Sequence, residues 1–432
     1  MTTTDLSYRS WRRAAYLCPV MLAVCVAASG QTTGVPSPAS VPDGPPNAVI
    51  VFRSGSFAVA PTFRVANVGV DSNVFNTSES ETPDVTLTLE PGVDVGMRSP
   101  GLTLVGRAIA SYVFYADQAS ERSLNPRGEL EFEHRFSSRF SLAAEGSLGW
   151  SRTREGLEVD TRAETMARRG RVEGRIGSRR LQFLMHAAAS DNTYDQNAVF
   201  RDVRLSETLN LYSRSGGVGV NYRLTPFTTL TADSELTADR FPNAPLRDTD
   251  SARVIGGFRL DSRALISGRA AIGYQIVRPL RTAEFRDLIA NGGLSWQWHD
   301  RLVVSSGAER DVQYSYDPRH FFYTYNLGEV GVQQALWSSF DLGVHGSWTQ
   351  MIYGRTPAQR LTGAPGDHEY LTEITLSTGM RVSRKVRFGV YVSQWERRAA
   401  QQGYTSLRSG LELTVGKARV NERGVLAFGP GR

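Results

Sequence analysis

In the stretch DVTLTLEPGVDVGMR, residues 84–98, Val85, Leu87, Leu89, Val93, Val95 and Met97 hold one parity, and Thr86, Thr88, Glu90, Asp94 and Arg98 hold the other. Pro91 alone interrupts the apolar set. A side-chain period of two belongs to an extended strand with one apolar and one polar face. At about 14 residues the run is long for a sandwich strand, usually about 5 to 6. It is long enough to cross a bilayer at a tilt, which takes roughly 9 to 11 residues.

The alternation recurs from residue 57 to residue 416. Phe140, Leu142, Ala144, Gly146, Leu148 and Trp150 stand against Ser141, Glu145, Ser147 and Ser151, and Tyr370, Ile374, Leu376, Met380 and Val382 against Glu373, Thr375, Ser377 and Arg381. Residues 162–177 carry the pattern weakly. Between the segments, short turns (98–101, 137–139, 177–180, 224–226, 261–264, 299–301, 338–339 and 383–385) alternate with longer polar connections. Eight short turns and nine longer loops imply 18 strands, with both ends of the array on the short-turn side and 16 as the alternative even count. The predicted fold class is therefore all-β: a transmembrane antiparallel up-and-down β-barrel over residues 57–416. Its apolar parity faces lipid and its polar parity a water-filled lumen. The sheet must close, because hydrocarbon cannot satisfy the backbone groups of an open edge. The competing reading, a secreted all-β protein such as a propeller, is disfavoured by strand length and by the absence of a blade-like repeat.

Composition narrows the picture. A mean hydropathy of -0.29 with 21% charged residues excludes a bundle of membrane helices, and 41 Gly suit many tight turns. Arg9, Arg12 and Arg13 precede AAYLCPVMLAVCVAASG, which predicts a secretory signal peptide over residues 1–28, cleaved after Ala28 or Gly30. Cys18 and Cys25, the two cysteines of the chain, lie in it, so the mature chain has no thiol; LAVC makes a poor lipoprotein box because Val24 stands where a small residue is needed. Residues 29–56, with Pro36, Pro38, Pro42, Pro45 and Pro46, read as a disordered periplasmic linker, and 417–432 as a C-terminal tail. The tail ends in GPGR after Phe428, whereas outer-membrane barrels usually end on an aromatic residue. Three arginines and Asp5 leave with the signal, so the net charge falls from +6 to +4, too mild to imply nucleic acid. The expected location is the outer membrane of a Gram-negative bacterium, and the expected partners are outer-membrane lipid and the barrel-assembly machinery.

No phosphate loop, metal spacing or nucleophile elbow is present, so neither catalysis nor a cofactor is expected. The six His are scattered, and His320 and His368 fall in loops as solvated side chains. Trp150, Phe241, Trp296, Trp298, Tyr314, Tyr316, Phe321 and Tyr323, near strand ends, fit aromatic girdles at the membrane interfaces. Parity makes Arg107, Arg169, Arg171, Arg175, Arg253, Arg259, Arg269, Arg381, Arg387 and Arg408 the basic lumen candidates. Glu90, Asp94, Glu145, Glu173, Asp233, Glu235, Glu309, Asp311, Glu373 and Glu412 nearly balance them, and cross-strand ion pairs that stiffen the wall are the simplest use of both sets.

At the end of the first strand, GVDSNVFN (69–76) resembles the Asp-x-Asn-Ile/Val-Phe/Tyr signature of the putative beta-barrel porins of the second type, here carried by Asp71, Asn73, Val74 and Phe75. That resemblance implies an outer-membrane conduit for export of an exopolysaccharide, working with periplasmic polysaccharide-export components. A general small-solute diffusion porin and a plugged structural or interaction barrel are the alternatives. Asp71 and Asn73 suit a strand end entering a turn, where short polar side chains bond the backbone, better than calcium binding, which needs more carboxylates.

Overall fold

The computed structural model describes residues 52–154, 157–261, 264–280, 284–298, 301–336, 339–354, 368–383, 386–399 and 403–415. The expected signal peptide, nearly all of the linker and the C-terminal tail lie outside them. The described chain forms 18 long strands: β1 (Phe57–Asp71), β2 (Asp84–Ser99), β3 (Leu102–Tyr115), β4 (Ser123–Arg135), β5 (Phe140–Arg154) and β6 (Arg162–Gly177); then β7 (Leu181–Tyr194), β8 (Leu211–Arg223), β9 (Thr228–Arg240), β10 (Thr249–Leu260), β11 (Ile266–Pro279) and β12 (Phe285–Trp298); and finally β13 (Leu302–Tyr314), β14 (Phe322–Ala335), β15 (Phe340–Tyr353), β16 (His368–Ser383), β17 (Val386–Arg398) and β18 (Tyr404–Val415). Each pairs antiparallel with its neighbours in the chain, and β1 pairs with β18, so the sheet is a closed barrel. Short turns gather at one rim and long connections at the other, as the alternation of connection lengths requires. Phe52–Ser54 folds back on β1 as a short hairpin, within the stretch that composition assigns to the linker.

The closure is irregular. Between Val65 and Val68 the register of β1 slips against β18, and Asn67 takes φ 53°, a left-handed conformation that Asn tolerates better than most residues. Its amide donates to the Thr88 hydroxyl of β2 at 3.1 Å and its side-chain oxygen accepts from the Tyr391 hydroxyl of β17 at 2.6 Å, pinning the bulge from both sides. At Gly69 the strands approach so closely that a Cβ would sit 1.8 Å from the Ser409 carbonyl oxygen.

The apolar parity is on the outside. Leu236, Val254, Ile272 and Ile374 are 58 to 66% exposed to whatever surrounds the barrel, which a protein in water would bury. Leu376, near the middle of β16, belongs to this face, and Ser377 faces the other way. Leu376→Arg should cost about 2 to 4 kcal/mol of folding stability in lipid vesicles, the penalty for Arg near the bilayer midplane. Ser377→Arg should cost under about 1 kcal/mol. Urea midpoints measure both, and equal losses would mean that the faces are wrongly assigned.

Two intervals of the wall open toward the long-loop rim: one between β4 and β5, where pairing stops at Arg127–Gly149, and one between β12 and β13. β12 and β13 pair only from Ala290–Arg310 to Trp298–Leu302, although both strands run further toward the long-loop rim. Above that point β13 leans into the barrel, and the Tyr314 hydroxyl donates to Asp239 of β9 at 2.5 Å. The Leu288 and Val312 backbone N–H groups donate to the carboxylates of their own neighbours Asp287 and Asp311, each at 2.8 Å. The Arg310 guanidinium fills the gap, donating to the Leu288 carbonyl at 3.0 Å and to Asp287 at 2.8 and 2.9 Å.

The aromatic girdle is only partly as expected. Trp150, Trp296 and Trp298 lie exposed on the outer face, the last two stacked at 5.9 Å. Phe241, Tyr316 and Tyr323 are buried instead, and Tyr314 bonds across the interior, because the long-loop mouth folds inward and uses them as packing.

Candidate functional site in the barrel lumen

The motif at the end of β1 is a knot at the barrel closure. Asp71 accepts from the Asn73 backbone N–H at 3.0 Å, from the Ser406 hydroxyl at 3.1 Å and from Arg408 at 3.1 Å, so one carboxylate ties the turn to β18. The Asn73 side chain exchanges hydrogen bonds with Thr77 (3.0 and 2.8 Å) and donates to the Thr405 carbonyl at 3.2 Å. Val74 is fully buried beneath this turn, and Phe75 is exposed.

Most of the lumen arginines meet carboxylates, some across strands and two along β6 itself. Arg107 meets Asp94 at 2.6 Å, and Arg171 and Arg175 flank Glu173 at 3.1 and 2.6 Å. Arg253 meets Glu235 at 2.9 Å, and Arg387 meets Asp341 through two bonds, 2.6 and 3.3 Å. Arg169 sits on the same face of β6, opposite Ser147 and Ser190. Arg64, absent from the parity set, bridges Glu90 (2.6 Å) and Glu412 (2.8 Å) and so links β2 and β18 through β1. One arginine pair breaks the rule: Arg259 lies directly opposite Arg269 near the short-turn rim. Like charges in directly opposed positions destabilise a ladder.

The long-loop mouth is crossed by chain. Loop 157–161, between β5 and β6, reaches the far wall, where the Glu158 carboxylate accepts from the Ser315 hydroxyl at 2.5 Å and the Tyr316 backbone N–H at 2.9 Å. Arg397 of β17 donates to the Leu157 and Glu158 carbonyls at 3.3 and 3.0 Å and forms an ion pair with Glu369. Asp160 accepts from Asn76 at 2.8 Å and pairs with Arg154 at 2.9 Å. Val159 packs with Phe200, Leu205, Leu209 and Tyr316, joining this crossing loop to the short helix Leu205–Leu209 of the β7–β8 connection. Leu157 packs against Tyr323, Tyr325, Met351 and Tyr353. Burial pushes the Glu158 carboxyl up to about 7 from its ordinary 4.5, against the hydrogen bonds from Ser315 and Tyr316.

His320 is buried, with Nδ1 3.2 Å from Asp317, and not solvated as its loop position implies; His368 is exposed at the start of β16. Of the mouth residues, Glu158 lies in a loop and escapes a parity argument, whereas Arg397 and Glu369 share the inward parity of Arg387 and Glu373 but lie at strand ends outside the candidate set. The loop's sequence signal is slight: Leu157 and Val159 are large apolar residues inside an otherwise polar connection. Among the described residues no group of three or more His, Cys, Asp or Glu is placed to hold a metal ion.

A family model described as Putative beta-barrel porin 2 matches residues 47–417. No curated protein matches the chain. Solved structures of similar outline include a BenF-like porin from Pseudomonas fluorescens Pf-5, at 10% identity over 83% of this chain and 99% of that one, with a TM-score of 0.46. OccK2 (OpdF) from Pseudomonas aeruginosa gives 11%, 83%, 98% and 0.47. The outer membrane channel DcaP of Acinetobacter baumannii gives 10%, 85%, 99% and 0.43. The family match spans the whole barrel, its closure and its mouth, and the chain is therefore a member of the Putative beta-barrel porin 2 family, a channel-forming barrel of the Gram-negative outer membrane.

Proposed function

We propose that this porin exports an acidic, hydroxyl-rich polymer, an exopolysaccharide, from periplasm to cell surface. The observation that carries the reading is the opposed arginine couple Arg259–Arg269 at the short-turn rim, where a periplasmic polymer would enter. An anionic guest relieves the repulsion within such a couple, and guanidinium forks bind carboxylates and hydroxyls through planar, paired hydrogen bonds. Further up, the arginines are matched by acids, so the wall offers many weak polar contacts and no single deep trap. Such a wall suits a chain that must keep sliding. The crossed mouth favours a conduit that opens for its cargo over a permanently open diffusion pore.

Deleting the gene in its host should abolish or strongly reduce surface polysaccharide and leave small-solute uptake unchanged. Complementation with the parent gene should restore the polymer, and Arg259→Glu with Arg269→Glu should assemble but fail to restore it. If the polymer persists and small-solute permeability falls, the protein is a diffusion porin and the export reading is lost.

A further inference from the structure

The two ends of the outer face differ in chemistry. Across β8 to β12, outward positions near the short turns carry Tyr222, Leu230, Phe258, Ile266 and Trp296, all without charge. Near the long loops the same face of the same strands carries Arg214, Arg240, Arg278 and Arg286. Their outward direction follows from register: Arg278 continues the parity of the exposed Ile272 and Tyr274, and Arg286 pairs opposite Ile276. Arginine on the lipid side of a barrel is costly at mid-depth and cheap at the interface. Four arginines confined to one interface therefore indicate what they meet there.

The acids of this patch do not balance it. Asp250 pairs with Arg240 at 2.7 Å, and Glu284 is held between Arg278 (2.8 Å) and Arg286, each meeting it through Nε. Four guanidinium charges against two carboxylates leave a net of about two positive charges, and each guanidinium has five donors, of which these pairings use few. Arg278 and Arg286 have side chains about 60% exposed. Tyr212 and Tyr274 stand beside Arg214 and Arg286, supplying hydroxyls at the depth where amphipathic rings settle.

We propose that this patch, on the outward face of β8 to β12 at the long-loop end, is a docking site for the phosphate groups of an anionic lipid in the outer leaflet. Arg278 and Arg286 form its centre, spread on either side of Glu284 so that a phosphate is met by two guanidinium forks. Arg214 and Arg240 flank it and extend the site to a headgroup bearing more than one phosphate. The site lies outside the pore and is independent of what the lumen carries.

The test uses the full mature chain reconstituted in discs of phosphatidylethanolamine alone, of phosphatidylethanolamine with lipopolysaccharide, and of phosphatidylethanolamine with dephosphorylated lipopolysaccharide. Lipid retained after detergent extraction is read by native mass spectrometry. The parent protein should retain phosphorylated lipopolysaccharide at least tenfold more than the dephosphorylated form, and Arg278→Gln with Arg286→Gln should reduce that retention at least fivefold. Arg278→Lys with Arg286→Lys, which keeps the charge and loses the forks, should fall between. Heat-modifiable migration on gels checks that each variant is folded. Equal retention of the two lipopolysaccharide forms by the parent protein overturns the proposal whatever the variants do, and so does undiminished retention by a folded Gln variant.

Discussion

In planar bilayers the channel should conduct more at pH 8 than at pH 5, and Glu158→Gln should remove the difference, leaving the mouth closed at both values. The docked loop holds the Glu158 carboxyl at about 7, and a loop released into water returns it to 4.5. Between those values the docked state binds more protons than the released one, so docking is at full strength below about 4.5 and is lost progressively as pH rises through 7. The difference is worth roughly 3 kcal/mol at about 1.36 kcal/mol per pH unit, an order-of-magnitude figure. The groups facing Glu158 are the Ser315 hydroxyl, the Tyr316 backbone N–H, the Tyr353 hydroxyl, Glu369, Arg247 and Arg397. Glu369 opposes ionisation of Glu158, and the two arginines are engaged elsewhere, Arg397 with Glu369 and Arg247 with the Ser315 and Phe321 carbonyls. Gln keeps the acceptor for Ser315 and cannot ionise, so it stands for the protonated form. A conductance that is flat between pH 5 and pH 8 in the parent channel would refute the docking argument.

Arg387→Ala should destabilise the barrel by about 3 to 5 kcal/mol, the cost of leaving a buried charge without its partner. Both side chains of the Arg387–Asp341 pair are at most 4% exposed, and the two bonds link β15 to β17 across the inner face of β16. The double change Asp341→Leu with Arg387→Met should recover most of the loss, because replacing both members of a buried pair by apolar groups is often near neutral. Urea titrations of the refolded protein in vesicles give the comparison. If the double variant is as unstable as the single, the pair contributes through its own attraction and not through the penalty of an orphaned charge.

The barrel was legible in the chain for a physical reason. Hydrocarbon favours an apolar residue at every second position over the membrane-spanning part of a strand, so most strands announce themselves without help from their neighbours. The strand that reads weakly, RAETMARRGRVEGRIG, has its outward face made of Glu164, Met166, Arg168, Gly170, Val172, Gly174 and Ile176; Arg168 is tolerated there opposite Asp191, 3.7 Å away. The DSNVF turn was legible as backbone bonding at a strand end, but its tie to Ser406 and Arg408 needs the closure of a chain whose partners lie some 335 residues apart. Parity put the lumen arginines on a face; pairing them with acids needs register, which period alone does not supply. The mouth was the least legible part. A loop has no period, and Leu157 and Val159 are too few to mark a segment that folds into the pore. His320 and Tyr316 followed that loop inward and so left the surroundings their local sequence implies.

The shortened pairing of β12 with β13 bears on how the wall carries load. A closed barrel under the lateral pressure of a bilayer behaves as a hoop, in which tension is the same all round and failure begins at the weakest joint. Most joints are long ladders of backbone bonds spread over the strand, but the ladder between β4 and β5 stops as early as this one, and that between β1 and β18 is interrupted by its bulge. Between Phe285 and Ile289 on one side and Asp311 and Tyr314 on the other the joint is a side-chain clasp, Arg310 on Asp287 and the Leu288 carbonyl, with Thr324 of β14 donating to the same Asp287 at 2.7 Å. Strain applied at the rim is carried there by a few side chains and not by a ladder, which marks the β12–β13 interval as one of the lines along which the outer end of the porin parts first.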